Sequence, residues 1–248
     1  MKYLLSKASL PIVERLAKDR TLCAFDFDGT LAPIVDHPHL ARMRGPTRRL
    51  LKRVASLYPC IVVSGRNRED VVRRMHGVPL AGIFGNHGAE ADGKEHEDRR
   101  IKHWKAALEA EIGGLPGVWV EDKGTSLAVH YRQSLRPAQS VRRITEAVAK
   151  LNEVRTFGGK KVVNLVVDGA PTKADAVVAE RDRLRCNRVL YLGDDENDED
   201  AFGMKGDVVA VRIGRKKHTR ASYFLRSQME IDQLLLWMAR LRRAEPSE

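Results

Sequence analysis

Leu22-Cys23-Ala24-Phe25-Asp26-Phe27-Asp28-Gly29-Thr30 runs from an unbroken apolar tetrad straight into two carboxylates at alternate positions. The tetrad reads as a strand buried on both faces, because a half-exposed strand would alternate apolar with polar. Two acids at the end of such a strand repel each other unless a cation neutralises them. The Gly29-Thr30 step behind them frees backbone N–H groups to face an anion.

Four further runs are strand-length and near-continuously apolar: Ile61–Val63, Gly82–Phe84, Val189–Leu192 and Val208–Ile213. Helical patterns lie between them at Thr47–Leu57, behind Pro46, at Arg68–Met75, and at Ala174–Leu184 behind a capping Thr172, with a last one at Glu230–Leu241. Met1–Leu10 reads as a short helix and not a targeting signal, since Glu14, Arg15, Lys18, Asp19 and Arg20 follow it. Strands alternating with helices predict an α/β core built on a parallel sheet.

Between residues 95 and 168 the texture changes. Ile101, Trp104, Leu108 and Ile112 recur at helical spacing, and strands are expected at Val118–Val120 and Leu127–Tyr131 around Lys123-Gly124. A second helix after Pro137 carries Val141, Ile144, Val148 and Leu151, and a strand pair at Glu153–Phe157 and Lys161–Val167 turns at Gly158-Gly159. The order αββαββ predicts an α+β domain, 95–168, inserted into an α/β core formed by 1–94 and 169–248.

Three more segments join Asp26 and Asp28. Ser64 closes the strand at Val63 and precedes Gly65 and Arg66, and Lys173 sits at a helix start, where a cation opposes the helix dipole. After Leu192 comes Gly193-Asp194-Asp195-Glu196-Asn197-Asp198-Glu199-Asp200, six acids in seven positions, which need a metal or basic partners. In open α/β sheets the ligand lies at the carboxyl ends of the strands, where Asp26, Ser64 and Asp194 are all expected. Oxygen donors without a Cys or His set point to magnesium and not zinc. Carboxylates, a hydroxyl and a lysine around a hard cation describe a phosphoryl-transfer site. His87 follows the strand at Phe84, on the same rim, as a candidate substrate contact.

Composition narrows the classes. Across 248 residues, 43% are hydrophobic and 31% charged, and no apolar run reaches the ~18–20 residues a membrane span requires. Cys23, Cys60 and Cys186 are widely spaced, which fits buried thiols in a reducing cytoplasm. The net charge of +11 suits anionic partners, nucleic acid or small phosphorylated substrates alike; no nucleic-acid-binding signature accompanies it, and composition leaves the choice between them open. Gly158-Gly159-Lys160-Lys161 lacks the spacing of an NTPase phosphate loop, and His37 and His39 flank Pro38 in a loop.

The segments DFDGT, Ser64, Lys173 and GDDENDED, in this order, resemble the four motifs of the haloacid dehalogenase (HAD) superfamily. That resemblance implies a Rossmannoid core with an inserted cap. It makes Asp26 the nucleophile that forms an aspartyl-phosphate, and Asp28 the acid and base. Asp26, the backbone carbonyl of Asp28 and Asp194 would hold Mg2+, with Asp195 or Asp198 supporting; Ser64 and Lys173 would bind the phosphoryl oxygens.

More narrowly, DFDGTLAPI, Ser64-Gly65-Arg66, GNHGAE, EDKGTSLAVHYR and GDDENDEDAF are similar to the trehalose-6-phosphate phosphatase family. This implies that Glu121 and Lys123 contact sugar hydroxyls as the cap closes, and it counts Arg66 among the substrate-binding residues. Asn164 departs from the pattern, standing where a sugar-binding glutamate is expected. A related glycosyl or pseudo-disaccharide phosphate is therefore an alternative substrate. A phosphomutase would use cap arginines, for which Arg132, Arg142, Arg143 and Arg155 are candidates. A silent anion-binding protein would use the basic stretches Arg212–Arg220 and Arg240–Arg243. The expectation is a monomeric cytoplasmic Mg2+-dependent phosphatase.

Overall fold

Short apolar runs form the central strands because each can be covered on both faces, as a parallel sheet requires. The computed structural model describes residues 1–35, 37–90, 98–159 and 161–243. The expected boundary between residues 94 and 95, and Lys160, lie outside them. In chain order the first elements are β1 (Lys2–Tyr3), α1 (Leu10–Lys18), β2 (Thr21–Phe25), α2 (Gly45–Ala55), β3 (Cys60–Val63), α3 (Arg68–Met75) and β4 (Gly82–Phe84). The middle of the chain gives α4 (Arg99–Ile112), β5 (Trp119–Asp122), β6 (Ser126–His130), α5 (Pro137–Val148), β7 (Val154–Gly159) and β8 (Val162–Val167). The last elements are α6 (Lys173–Arg183), β9 (Arg188–Gly193), α7 (Glu199–Phe202), β10 (Val208–Ile213), β11 (Tyr223–Leu225) and α8 (Ile231–Arg243).

Two compact units result. The larger falls within Met1–Ala91, Thr172–Asp194 and Asp198–Glu248; the smaller falls within Asp92–Pro171 and Asp195–Asn197. In the larger unit seven parallel strands run in the order β1-β11-β10-β9-β2-β3-β4. β2 lies between β9 and β3, with Phe25 opposite Leu192 and Val62. Asp26, Ser64 and Asp194 thus follow neighbouring strand ends. Apolar clusters cover both faces of the sheet: Phe25, Val62 and Leu192 pack on one side, Leu22, Ile61 and Tyr191 on the other. Cys23, Cys60 and Cys186 are buried free thiols.

Two strands at one side of the sheet were absent from the sequence reading, β1 at its edge and β11 beside it. Met1–Leu10, read as helical, instead opens with a strand that pairs Lys2 with Tyr223 and Tyr3 with Phe224; a single 3-10 turn follows at Lys7–Ser9 and the α-helix begins at Leu10. Such short segments carry too few residues for any periodicity, and it is pairing that makes them strands.

The smaller unit is an antiparallel sheet, β5-β6-β8-β7, packed on α4 and α5 through Ile101, Trp104, Leu108, Leu127, Val129, Ile144 and Leu165. Gly158 and Gly159, expected as a turn, lie in β7 and pair with Val163 and Val162. A side chain on Gly159 would meet Val162 Cγ1 at 2.7 Å, so cross-strand crowding selects glycine there. No helix of the described residues is long and apolar enough to cross a membrane.

Candidate active site

The site begins with the turn after β2. Asp26 is buried, and its backbone N–H donates to Leu192 O at 2.9 Å, which ties this strand end to β9. Gly29 has φ +82, and a Cβ there would meet Asp194 Oδ2 at 2.1 Å, so only glycine lets this turn approach the acid. Gly193 is constrained likewise, since a Cβ would lie 2.3 Å from the Asp198 carboxyl carbon.

Asp26, Asp194 and Asp198 are all buried and offer carboxylate oxygens within 4.8 Å of one another. Lys173 enters from the first turn of α6, whose N-terminus is fixed by a reciprocal capping box between Thr172 and Asp175. Its Nζ donates to Asp26 Oδ1 at 2.7 Å and to Asp198 Oδ1 at 2.8 Å, with the lysine only 1% exposed. Tyr191 donates its hydroxyl to Asp198 Oδ1 at 2.7 Å, and the Asp194 backbone N–H donates to Asp198 Oδ2 at 2.9 Å.

Burial pushes the Asp26 carboxyl well above the ordinary carboxylate range; Lys173 opposes the shift and the Asp198 and Asp194 charges reinforce it. Burial alone would lower Lys173, but the Asp198 and Asp26 charges outweigh it and hold the ammonium protonated. Burial, with Asp198 beside it, also raises the Tyr191 phenol, which stays a neutral donor. One ammonium against three carboxylates leaves a local excess of negative charge. An all-oxygen donor set of this kind suits a hard divalent cation.

The expected residues separate into groups. Ser64 is buried at the end of β3, its hydroxyl accepting from the Arg66 backbone N–H at 3.2 Å. The Asp28 carboxylate is taken by Arg66, whose Nε and Nη2 donate to its two oxygens at 2.6 and 2.8 Å. Arg66 also reaches Asp70 at 2.8 Å, and Asp70 in turn receives Arg74 at 2.7 Å. Asp195 is half-buried and groups with the smaller unit, whereas Asp198 sits inside the carboxylate cluster.

His87 is buried with φ 60, next to Asn86 at φ 42, two successive left-handed residues that are not glycine. Its backbone N–H donates to Ser64 O at 2.9 Å, and its ring lies where a Cβ on Gly65 would be, 2.5 Å from Cε1. Asn86 Nδ2 donates to Glu90 Oε1, and Glu90 Oε2 accepts from the Arg68 backbone N–H at 2.7 Å. The GNHGAE segment therefore braces the loop after β3.

In the smaller unit, Glu121 Oε2 accepts from His130 Nε2 at 2.7 Å and lies 4.0 Å from Lys123 Nζ. Asn164 is buried, opposite Ala128 in register. Arg142 and Arg143 lie on the exposed side of α5 near Glu146, while Arg155 donates to Ala170 O at 3.0 Å.

Two contributors escaped the sequence reading. Tyr191 lies mid-strand among apolar residues and gave no signal. Arg212, read as part of the basic stretch Arg212–Arg220, is 6% exposed and donates to Asp194 O at 2.6 Å, with Glu199 at 3.2 Å. An arginine inside the run Val208–Ile213 was the clue.

The trehalose-phosphatase family model matches residues 24–229. The trehalose-phosphate phosphatase of Mycobacterium marinum is 32% identical over 216 residues, 79% of this chain and 55% of that protein. That of Mycobacterium avium is 36% identical over 194 residues, 72% of this chain and 49% of its own length. The chain thus spans about half the length of these relatives. Among solved structures, the C-terminal domain of a C. albicans trehalose-6-phosphate phosphatase aligns with a TM-score of 0.80 at 22% identity, over 93% of this chain and 97% of that one. A HAD subclass IIB sugar phosphatase aligns with a TM-score of 0.64 at 14% identity, over 86% and 96%, so the fold is that of the HAD superfamily.

Proposed function

Because the chain belongs to the trehalose-phosphatase family, we propose that it hydrolyses trehalose 6-phosphate to trehalose and phosphate through an aspartyl-phosphate on Asp26. One observation carries this reading: Asp26 is buried at a strand end with Lys173 Nζ at 2.7 Å and two more carboxylates within 4.8 Å.

An Asp26 oxygen bonds to phosphorus while the bond to the sugar oxygen breaks, and Asp28 supplies the proton that oxygen needs. Water then attacks the acyl phosphate, Asp28 accepts its proton, and Asp26 departs as a carboxylate. Covalent catalysis of this kind replaces one slow hydrolysis by two easier steps. Lys173 and Ser64 donate to the phosphoryl oxygens, and Arg66 orients Asp28 between the two proton transfers. The donor set fits Mg2+: Asp26, Asp194 and the Asp28 backbone carbonyl would hold it, with Asp195 and Asp198 supporting. The ion would supply positive charge that screens the phosphate dianion from the carboxylates. Glu121 and Lys123 read sugar hydroxyls, as an acceptor and a donor, and His87 and Asn164 complete the substrate-binding set. Residues 95–168 would form the cap and the rest the catalytic core. The working protein is a cytoplasmic monomer.

Asn164 favours a second reading, a related glycosyl phosphate, because its amide is uncharged. The test is Mg2+-dependent phosphate release from trehalose 6-phosphate, glucose 6-phosphate and other glycosyl phosphates. The expected result is the highest kcat/KM on trehalose 6-phosphate. A higher value on another member moves the substrate, and no release from any of them ends the proposal.

A further inference from the structure

Trp119 is the exposed aromatic of the described residues, 46% accessible, while Trp104 is buried and Trp237 packs against the core. It opens β5 opposite His130 in register, and the two rings stack at 4.0 Å between centroids with 13° between planes. The next residues along each strand, Val120 and Val129, turn into the core of the smaller unit. Trp119, Glu121 and His130 therefore share the opposite face of the sheet. Glu121 accepts from His130 Nε2 at 2.7 Å, which fixes the imidazole under the indole. The indole is in this way held flat by its neighbour, with polar groups on its flank.

This combination has a chemical counterpart. A pyranose presents one face of C–H groups and a rim of hydroxyls. An aromatic plane suits the C–H face, while a carboxylate and an ammonium beside it suit the rim. An isolated exposed apolar side chain needs no explanation. A stacked indole beside a Glu121–His130 pair, with Lys123 Nζ 4.0 Å from Glu121, is a different object.

We propose that Trp119, braced by His130, is the shelf on which a hexopyranose ring of the substrate lies, and that it helps determine specificity for a disaccharide ester. The inference rests on the function proposed above. Truncating the shelf removes binding shared by ground and transition states, so KM carries the loss more than kcat. Its size, from aromatic stacking, is roughly 3–10-fold.

The experiment compares the full-length wild type with Trp119→Leu and Trp119→Phe. Phosphate release is measured from trehalose 6-phosphate and p-nitrophenyl phosphate, and tryptophan fluorescence is titrated with trehalose alone. Trp119→Leu should lose more kcat/KM on the sugar ester than on p-nitrophenyl phosphate, mainly through KM, and Trp119→Phe should recover much of it. Trehalose should change the wild-type emission, and that change should vanish in Trp119→Phe. Equal losses on both esters in Trp119→Leu, or a trehalose response that survives in Trp119→Phe, would overturn the shelf. A wild type inactive on trehalose 6-phosphate would instead overturn the function on which it rests.

Discussion

Arg66 grips both carboxylate oxygens of Asp28, at 2.6 and 2.8 Å, while Asp28 itself stands two residues beyond the buried Asp26. The two acids of one turn thus have opposite surroundings: Asp26 faces Lys173, Asp194 and Asp198, and Asp28 faces a guanidinium. Arg66→Ala should cut kcat/KM on the sugar phosphate by roughly 10–150-fold, the worth of a charge-assisted hydrogen bond. The loss should be smaller with p-nitrophenyl phosphate, whose leaving group needs no proton. Parallel kinetics on both esters check this.

Asp26→Asn should keep the fold and abolish turnover. Acid quenching of the wild type during turnover of labelled substrate should trap label on the protein, and the variant should trap none. Appreciable turnover by the variant would remove Asp26 as nucleophile.

The carboxylate cluster sets a pH dependence for stability. The folded-state pKa of Asp26 is raised by burial, so its contribution favours the fold below its unfolded value near ~3.9 and is lost as pH rises through the raised one. At neutral pH the metal-free protein therefore carries a cost that magnesium should relieve. A 100-fold excess over Kd corresponds to about 2.7 kcal/mol, or a Tm rise of roughly 5–10 °C. Thermal melts should give a smaller rise in mildly acidic buffer, where protons compete, and none in Asp194→Asn.

Lys173 holds Asp26 and Asp198 together from a fully buried position. Lys173→Met should destabilise the metal-free protein by about 3–5 kcal/mol, because it leaves buried charges unpaired. Urea unfolding measures this, and a loss below 1 kcal/mol would mean that solvent reaches the cluster.

Glu121→Ala should lower kcat/KM on trehalose 6-phosphate by roughly 10-fold or more, the worth of a hydrogen bond to a charged group. The p-nitrophenyl phosphate reaction should fall much less. Matching losses would mean that Glu121 only orients His130.

Elements whose signal is local were readable. Arg68–Met75 was read with the bounds that α3 has, and Thr172 was read as the cap that it proves to be. Buried strands announced themselves because a strand covered on both faces has no use for polar residues. The edge strand Lys2–Tyr3 and its neighbour Tyr223–Leu225 did not: both are short, and only pairing, with each other and of the second with Val211–Ile213, defines them. Gly158 and Gly159 misled for the opposite reason, since a glycine pair that signals a turn can equally serve close packing within a sheet.

The sequence by itself determined the α/β architecture and the acids, hydroxyl and lysine at strand and helix ends, because strand burial, capping and charge repulsion act over neighbouring residues. Tertiary structure alone decided which oxygens meet. Asp198 joins Asp26 and Asp194 because the turn after β9 folds back over Gly193, and Asp28 is turned to Arg66. Tyr191 and Arg212 enter the site only because β9 lies between β2 and β10. Side-chain direction at a strand end depends on packing between segments far apart in the chain, and no local pattern encodes it.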